Sequence, residues 1–193
     1  MRRISLLMIC ALLLICLSGC GHSAERITDY RAVPIQKVID GVAKCDTAMY
    51  RSAFADNYDK AVSASYELTE GMAFDVFLKD YILLPADDAH KLNLGKHYSI
   101  EFIVENVEEY TLDTITEDMA EYFIDYSDYF VFDYEFDTSS IEKIAVIYGK
   151  LNTYGYDSIW DDAKSESHSA KYMTVCINGV WYLHPCYYFT TFN

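Results

Sequence analysis

Apolar residues recur at three- and four-residue steps near the start of the chain proper, at Ile35, Val38, Ile39, Val42, Cys45 and Met49. That spacing lays one apolar stripe along a helix. Pro34 stands at its start, where a missing N–H costs nothing. The stripe predicts a helix running on past Phe54. Asp56-Asn57 breaks it and can cap a second helix, "YDKAVSASYEL". Thr69 is placed to cap a third, in which Phe74, Phe77, Leu78 and Tyr81 share a face and which ends before Pro85.

Downstream the period changes to two. "HYSIEFIVENVEEYTL" alternates and is rich in Ile, Val, Phe and Tyr, which predicts a strand. Thr114 and Glu117 have the spacing of a capping box, so a short helix follows in "TITEDMAEYFIDYS". The segment from Tyr122 to Asp137, "YFIDYSDYFVFDYEFD", starts at helical spacing. From Phe130 it alternates, with Phe130, Phe132, Tyr134 and Phe136 on one face and acids on the other, as in a half-buried strand. "IEKIAVIYGKL" reads as another strand, and "YGYDSIWDDAKSESHS" as a long loop or hairpin arm. "KYMTVCI-NG-VWYLH" is a hairpin, because Asn178-Gly179 suits the two positive-φ positions of a type I′ turn. Both hairpin faces are largely apolar: Met173, Val175, Ile177, Val180 and Tyr182 on one, Thr174, Cys176, Trp181 and Leu183 on the other. A sheet wet on one side alternates apolar with polar, so both faces need cover. Either the C-terminal tail "CYYFTTFN" or a second copy of the sheet can supply it. The attached tail, and hence a monomer, is slightly favoured over a sheet-mediated homodimer.

The first twenty residues follow another logic. Met1-Arg2-Arg3 is basic, Ile4 to Leu17 is an almost unbroken apolar stretch interrupted by Ser5 and two cysteines, and Ser18-Gly19 precedes Cys20. This is the layout of a secretory signal, and the apolar run is short for a membrane span, which takes about 20 residues. "LSGC" resembles the lipobox of bacterial lipoproteins. The resemblance implies a signal peptide over 1–19, a diacylglyceryl group on the Cys20 sulfur, a tether over 20–33, and one domain over 34–193. It further implies an extracytoplasmic protein anchored to the bacterial cell membrane by lipid. Two acyl chains suffice for stable anchoring, where one is marginal.

Charge narrows the partners. The whole chain carries −15; loss of Arg2 and Arg3 with the signal leaves 13 basic side chains against 30 acids, near −17. Such a surface repels nucleic acid and anionic headgroups. A protein, cationic peptide or small-molecule ligand is compatible with it. After Cys10, Cys16 and Cys20, three cysteines remain: Cys45, Cys176 and Cys186. An odd number is no disulfide framework, and without a CxxC or HxxxH pair it is no zinc site. Across the Asn178-Gly179 turn, Cys176 and Cys186 fall too far apart along the ladder to bond unless the strand turns at Pro185.

Three stretches carry the likeness of the domain to a known family: "TVCINGVWYLHP", with its Gly-x-Trp-Tyr ending, "TLDTITEDMAEYF" and "FADNYDKAVSASYE". Over most of residues 35–188 the chain resembles bacterial lipoproteins of unknown function with a nuclear-transport-factor-2-like, or cystatin-like, domain. The resemblance implies an α+β fold, in which N-terminal helices pack on a curved antiparallel sheet, a cystatin-like cone, closing on a C-terminal hairpin. A pocket often lies between the layers. Cys176, the aromatic strand and the tail from Cys186 to Asn193 depart from the pattern, and the tail puts the usual dimer face in doubt.

No cofactor or metal is expected, and no catalytic residue is singled out. His184 at the hairpin end, with Trp181, Tyr182 and Tyr134, makes the candidate ligand-binding set, although a strand-end histidine partly open to solvent explains His184 as well. Asp125, Asp128, Asp133 and Asp137 are hard-oxygen donors but lack the glycine turn of a calcium loop. Tyr154 and Tyr156 can present rings to a sugar, or simply form a turn. The expected function is that of a membrane-tethered, non-catalytic binding module for an envelope partner or small ligand. The alternative is a small pocket enzyme of the same fold using a His/Asp acid–base pair.

Overall fold

Four antiparallel strands form one sheet in the order β1-β2-β3-β4: β1 (His97–Tyr110), β2 (Ile141–Tyr156), β3 (Lys164–Ile177) and β4 (Val180–Leu183). The computed structural model describes residues 29–120 and 138–184. Cys20, the Tyr122–Asp137 stretch with Tyr134, and the tail from Pro185 lie outside the described residues. The sheet is curled into a half-barrel with helices, an α+β architecture.

The first helix is shorter than its stripe predicts. A 3₁₀ turn, Tyr30–Ala32, leads into α1 (Val33–Ala43), which buries Ile35, Val38, Ile39 and Val42. The fold therefore takes in residues assigned above to the tether: Ala32 is fully buried, and Arg31 bridges Asp29 and Glu109 of β1. After Lys44 the chain adopts a left-handed conformation at Cys45, φ 49°. The Cys45 N–H bonds the Val42 carbonyl at 3.1 Å, and the Asp46 N–H bonds that of Gly41 at 2.8 Å. These two bonds make a Schellman ending with cysteine where glycine is usual. Asp46 then caps α2 (Thr47–Arg51), its carboxylate accepting from the Met49 N–H at 2.9 Å. The apolar period survives across this break, so periodicity alone reads the two helices as one.

Two further helix boundaries also move. Helix α3 (Asp56–Glu70) runs through Thr69 and ends at Gly71, φ 62°, and the residue before the next helix is Ala73. Helix α4 (Phe74–Phe77) passes into a π-helical stretch, Leu78–Leu83, and on into α5 (Leu84–Leu94). Pro85 lies within this helical rod, not after it. Proline lacks an N–H and crowds the carbonyl four residues back, and the looser π-turn before it relieves that conflict. The Leu84 N–H reaches five residues back to Lys79. Arg51 ties α2, α3 and α4 together. Its guanidinium holds both oxygens of Asp59 at 2.8 and 2.6 Å, reaches Asp75 at 2.7 Å and lies over the Phe74 ring.

The strands follow their alternation. Ile177 pairs with Val180 and Cys176 with Trp181 across Asn178 (φ 52°) and Gly179 (φ 74°). The "YGYDSIWDDAKSESHS" arm is a hairpin: its ends belong to β2 and β3, and the loop is 157–163. In the β1–β2 connection a short α6 (Glu117–Ala120) begins after Thr116, whose hydroxyl accepts from the Met119 N–H at 3.4 Å. Thr114 instead closes a turn on Thr111, so the expected capping box does not form.

The sheet is apolar on both faces, as its hairpin predicts. One face packs Phe102, Ala145, Ile147, Tyr172, Cys176, Trp181 and Leu183 against α1, α2 and the rod. Gly149 makes room there: a Cβ at this position would stand 2.7 Å from the Phe102 ring and 2.2 Å from the Ile103 carbonyl. The vacated space admits Phe102, which meets Tyr172 edge-on with ring centroids 5.0 Å apart. The other face buries Ile144, Val146, Met173 and Val175. Among the described residues, its cover comes from Leu112, Ile115 and Met119 of the β1–β2 connection, with Tyr58 and Tyr110. Neither occupant weighed from the sequence, tail or second copy, anticipated this segment.

Candidate functional site

Of the expected ligand-binding set, Trp181 and Tyr182 stand on opposite faces of the sheet, and Tyr134 lies outside the described residues. Trp181 points into the helix-side core, 8% exposed, with its indole edge-on to Tyr30 at 6.3 Å. Tyr182 packs on the opposite face of the sheet. Residues adjacent in a strand point to opposite faces, so these two rings cannot line one pocket on a single face. His184 is fully buried and its backbone N–H bonds the Met173 carbonyl at 2.9 Å, which corrects the reading of a partly exposed strand end.

The structure assembles a polar cluster elsewhere. Asp87, His90 and Lys91 occupy i, i+3 and i+4 on α5 and so share a helix face. That face meets Tyr98, near the start of β1, and Cys45, at the left-handed end of α1. Asp87 is 4% exposed, an uncommon burial for a carboxylate. Three donors compensate it. The Tyr98 hydroxyl donates to one oxygen at 2.8 Å; Lys91 Nζ, at 2.6 Å, and the Cys45 thiol, at 3.7 Å, donate to the other. The lysine head remains half in water while its partner is buried. The ring of His90 lies 5.4 Å from that of Tyr98.

The electrostatics hold every proton in place. Burial pushes the Asp87 carboxyl up, but the hydrogen bonds from Lys91 and Tyr98 outweigh it and leave it below the usual range. Burial raises the Cys45 thiol, and the Asp87 charge raises it further. Tyr98 is driven up by burial and by its bond to Asp87. Burial lowers His90 against the opposing pull of Asp87. At neutral pH the group is thus an ionised carboxylate, a thiol, a phenol, an ammonium and a neutral imidazole. An activated nucleophile needs the reverse, a thiolate beside positive charge.

Sequence reading missed this cluster because its members are far apart in the chain. The only local signal is Asp87 four residues before Lys91. A shallow groove of about 490 Å³ lies along α1 and α2, lined by Gln36, Lys37, Asp40, Asp46 and Met49 among others. Gln36 of this groove also serves the edge of β1 away from β2, accepting from the Phe102 N–H at 3.3 Å and donating to the Ile100 carbonyl at 3.4 Å. Among the described residues no group of His, Cys, Asp and Glu is arranged to hold a metal ion, and no helix is long and apolar enough to cross a membrane. Compared with models of protein families, with curated proteins and with solved structures, the chain matches none.

Proposed function

We propose that this chain is a lipid-tethered, extracytoplasmic binding module, non-catalytic, with a cystatin-like cone closing on its C-terminal hairpin. The observation that carries the non-catalytic half is the Asp87 cluster. Its carboxylate is already saturated by Lys91, Tyr98 and Cys45, and its thiol is raised rather than activated. Such a group serves as a buried latch between α5, β1 and the end of α1. The tether half rests on the basic, apolar and small-residue order that ends at Cys20. Helices on a curled antiparallel sheet support the cone.

The test of this reading is processing in a bacterial host. The wild-type chain is expected to take up a fatty-acid probe and stay with the membrane fraction. Cys20→Ala is expected to lose both. Equal labelling and retention in the variant would refute the tether.

A further inference from the structure

Most large apolar side chains of the described fold are buried or half-buried, but the tip of the β2–β3 hairpin is an exception. Ile159 is 78% exposed and Trp160 87%. Single exposed apolar residues are ordinary, but tryptophan on a well-formed turn is not an inert choice: with tyrosine and arginine it is enriched among the residues that carry binding energy at protein interfaces. The turn is built to hold it. The Asp161 N–H bonds the Ser158 carbonyl at 2.9 Å, and the Trp160 N–H approaches the Ser158 hydroxyl at 3.4 Å. At the base, the Lys96 N–H bonds Asp157 at 3.1 Å and Lys164 Nζ bonds the Asn93 carbonyl at 2.8 Å. Gly95 and Gly155 let the end of α5 lie against the hairpin, since a Cβ at either would stand under 3 Å from the opposing backbone. A pre-ordered anchor loses less entropy on binding than a slack loop.

Charge and position indicate the occupant. Asp157, Asp161 and Asp162 bracket the apolar pair in a chain of net −15. An indole beside carboxylates is a receptor for guanidinium or ammonium groups, which stack on the ring and pair with the acids. The same acids oppose contact with anionic lipid. The chain enters the fold at the opposite end of the sheet, where Arg31 meets Glu109, the partner of Ala145. From Ala145 to Tyr156 the strand covers roughly 35 Å at about 3.3 Å per residue. Cys20 and Asp29 are nine residues apart, roughly 30 Å at full extension. On the tethered reading proposed above, the tip then points away from the anchored end.

We propose that the Ile159-Trp160 tip is a docking site for a cationic polypeptide segment, with an arginine or lysine over the Trp160 ring paired to Asp161 and Asp162 and an apolar neighbour against Ile159.

The experiment follows tryptophan emission of the full chain in phosphatidylcholine vesicles as a tryptophan-free peptide of alternating arginine and leucine is added. Trp181 is buried, so a change reports on Trp160. A saturable change is expected, absent in Trp160→Ser. Half-saturation is expected to need about tenfold more peptide in Asp161→Lys/Asp162→Lys. Circular dichroism of both variants is expected to match wild type, since the altered side chains are exposed. No saturable change, or equal affinity in the double variant, would overturn the proposal. So would an emission shift on adding phosphatidylglycerol vesicles without peptide, which would assign the tip to membrane. The Cys20→Ala labelling experiment is read separately, so failure at the tip and failure of the tether are distinguishable.

Discussion

The Tyr98 hydroxyl donates a 2.8 Å hydrogen bond to the Asp87 carboxylate, joining the start of β1 to the first turn of α5. Lys91 takes the other oxygen of the same carboxylate from the solvent side. The carboxylate is thereby a junction between α5 and β1. Its removal leaves a half-buried phenol and thiol without their acceptor, and leaving such groups unsatisfied costs more than a bond is worth when made. Asp87→Ala is therefore expected to lose about 2–4 kcal/mol of folding stability, and Tyr98→Phe about 1 kcal/mol. Urea unfolding of the two variants and their double mutant measures both. An additive double mutant would show that the bond does not couple the residues.

The same junction gives stability a pH dependence. Asp87 has a folded pKa below its unfolded value, so its contribution is complete above the ordinary carboxylate range. It is lost as pH falls through the depressed folded value. His90 is also lowered by burial, and its sign is worked out in the same way. Its neutral form is favoured by the fold, so stability is full above about pH 6.5 and declines as pH falls from there toward the folded pKa. Below that value the contribution of His90 no longer changes with pH. His90→Phe is expected to remove the slope just below pH 6.5 and leave the acid limb of Asp87 in place. Urea midpoints taken across pH 3 to 8 check this.

Cys45 holds a left-handed conformation that favours glycine, at a cost of about 1 kcal/mol. Cys45→Gly is expected to remove that strain and lose only a weak thiol bond, with a net change within about 1 kcal/mol of zero. Cys45→Val, which keeps a side chain but adds a branch, is expected to destabilise clearly. Equal losses in both would show that the thiol bond, not the backbone, dominates the position.

Thiol chemistry tests the electrostatic reading. Cys176 is buried, and Cys45 is half-buried beside a carboxylate; burial raises both thiols, and nearby acids raise them further. Slow reaction with a disulfide reagent is expected at both positions in the native protein. In Asp87→Asn the thiol of Cys45 loses its neighbouring charge, and its rate is expected to rise severalfold at pH 8 while that of Cys176 does not. Peptide mapping of the labelled sites separates the two.

Gly149→Ala probes the sheet core. The added methyl would meet the Ile103 carbonyl and the Phe102 ring, and neither backbone nor buried ring can withdraw. A loss of about 3 kcal/mol is expected, at the upper end of overpacking effects. Phe102→Leu in the same chain is expected to recover part of it, since it frees the ring's share of the space.

Local pattern was enough to place β1 and the inner parts of β2, β3 and β4, because alternation and turn chemistry act over a few residues; the polar outer half of β3, Lys164 to Ser169, reads as loop or hairpin arm. The pairing of Ile177 with Val180 follows from Asn178-Gly179 and needs no distant partner. The stripe from Ile35 to Val42 was legible for the same reason. Its end was not, since the break at Cys45 keeps the apolar spacing and is stabilised by backbone bonds that leave no mark on composition. Period two told that both hairpin faces are apolar, but not what covers them. That was decided in three dimensions, where Leu112, Ile115 and Met119 return over the far face. The Asp87 latch is the clearest case. Its carboxylate meets a thiol 42 positions away and a phenol 11 positions away. No spacing rule links them, because the helix face, the left-handed turn and the strand that carry them are oriented by burial of other residues entirely.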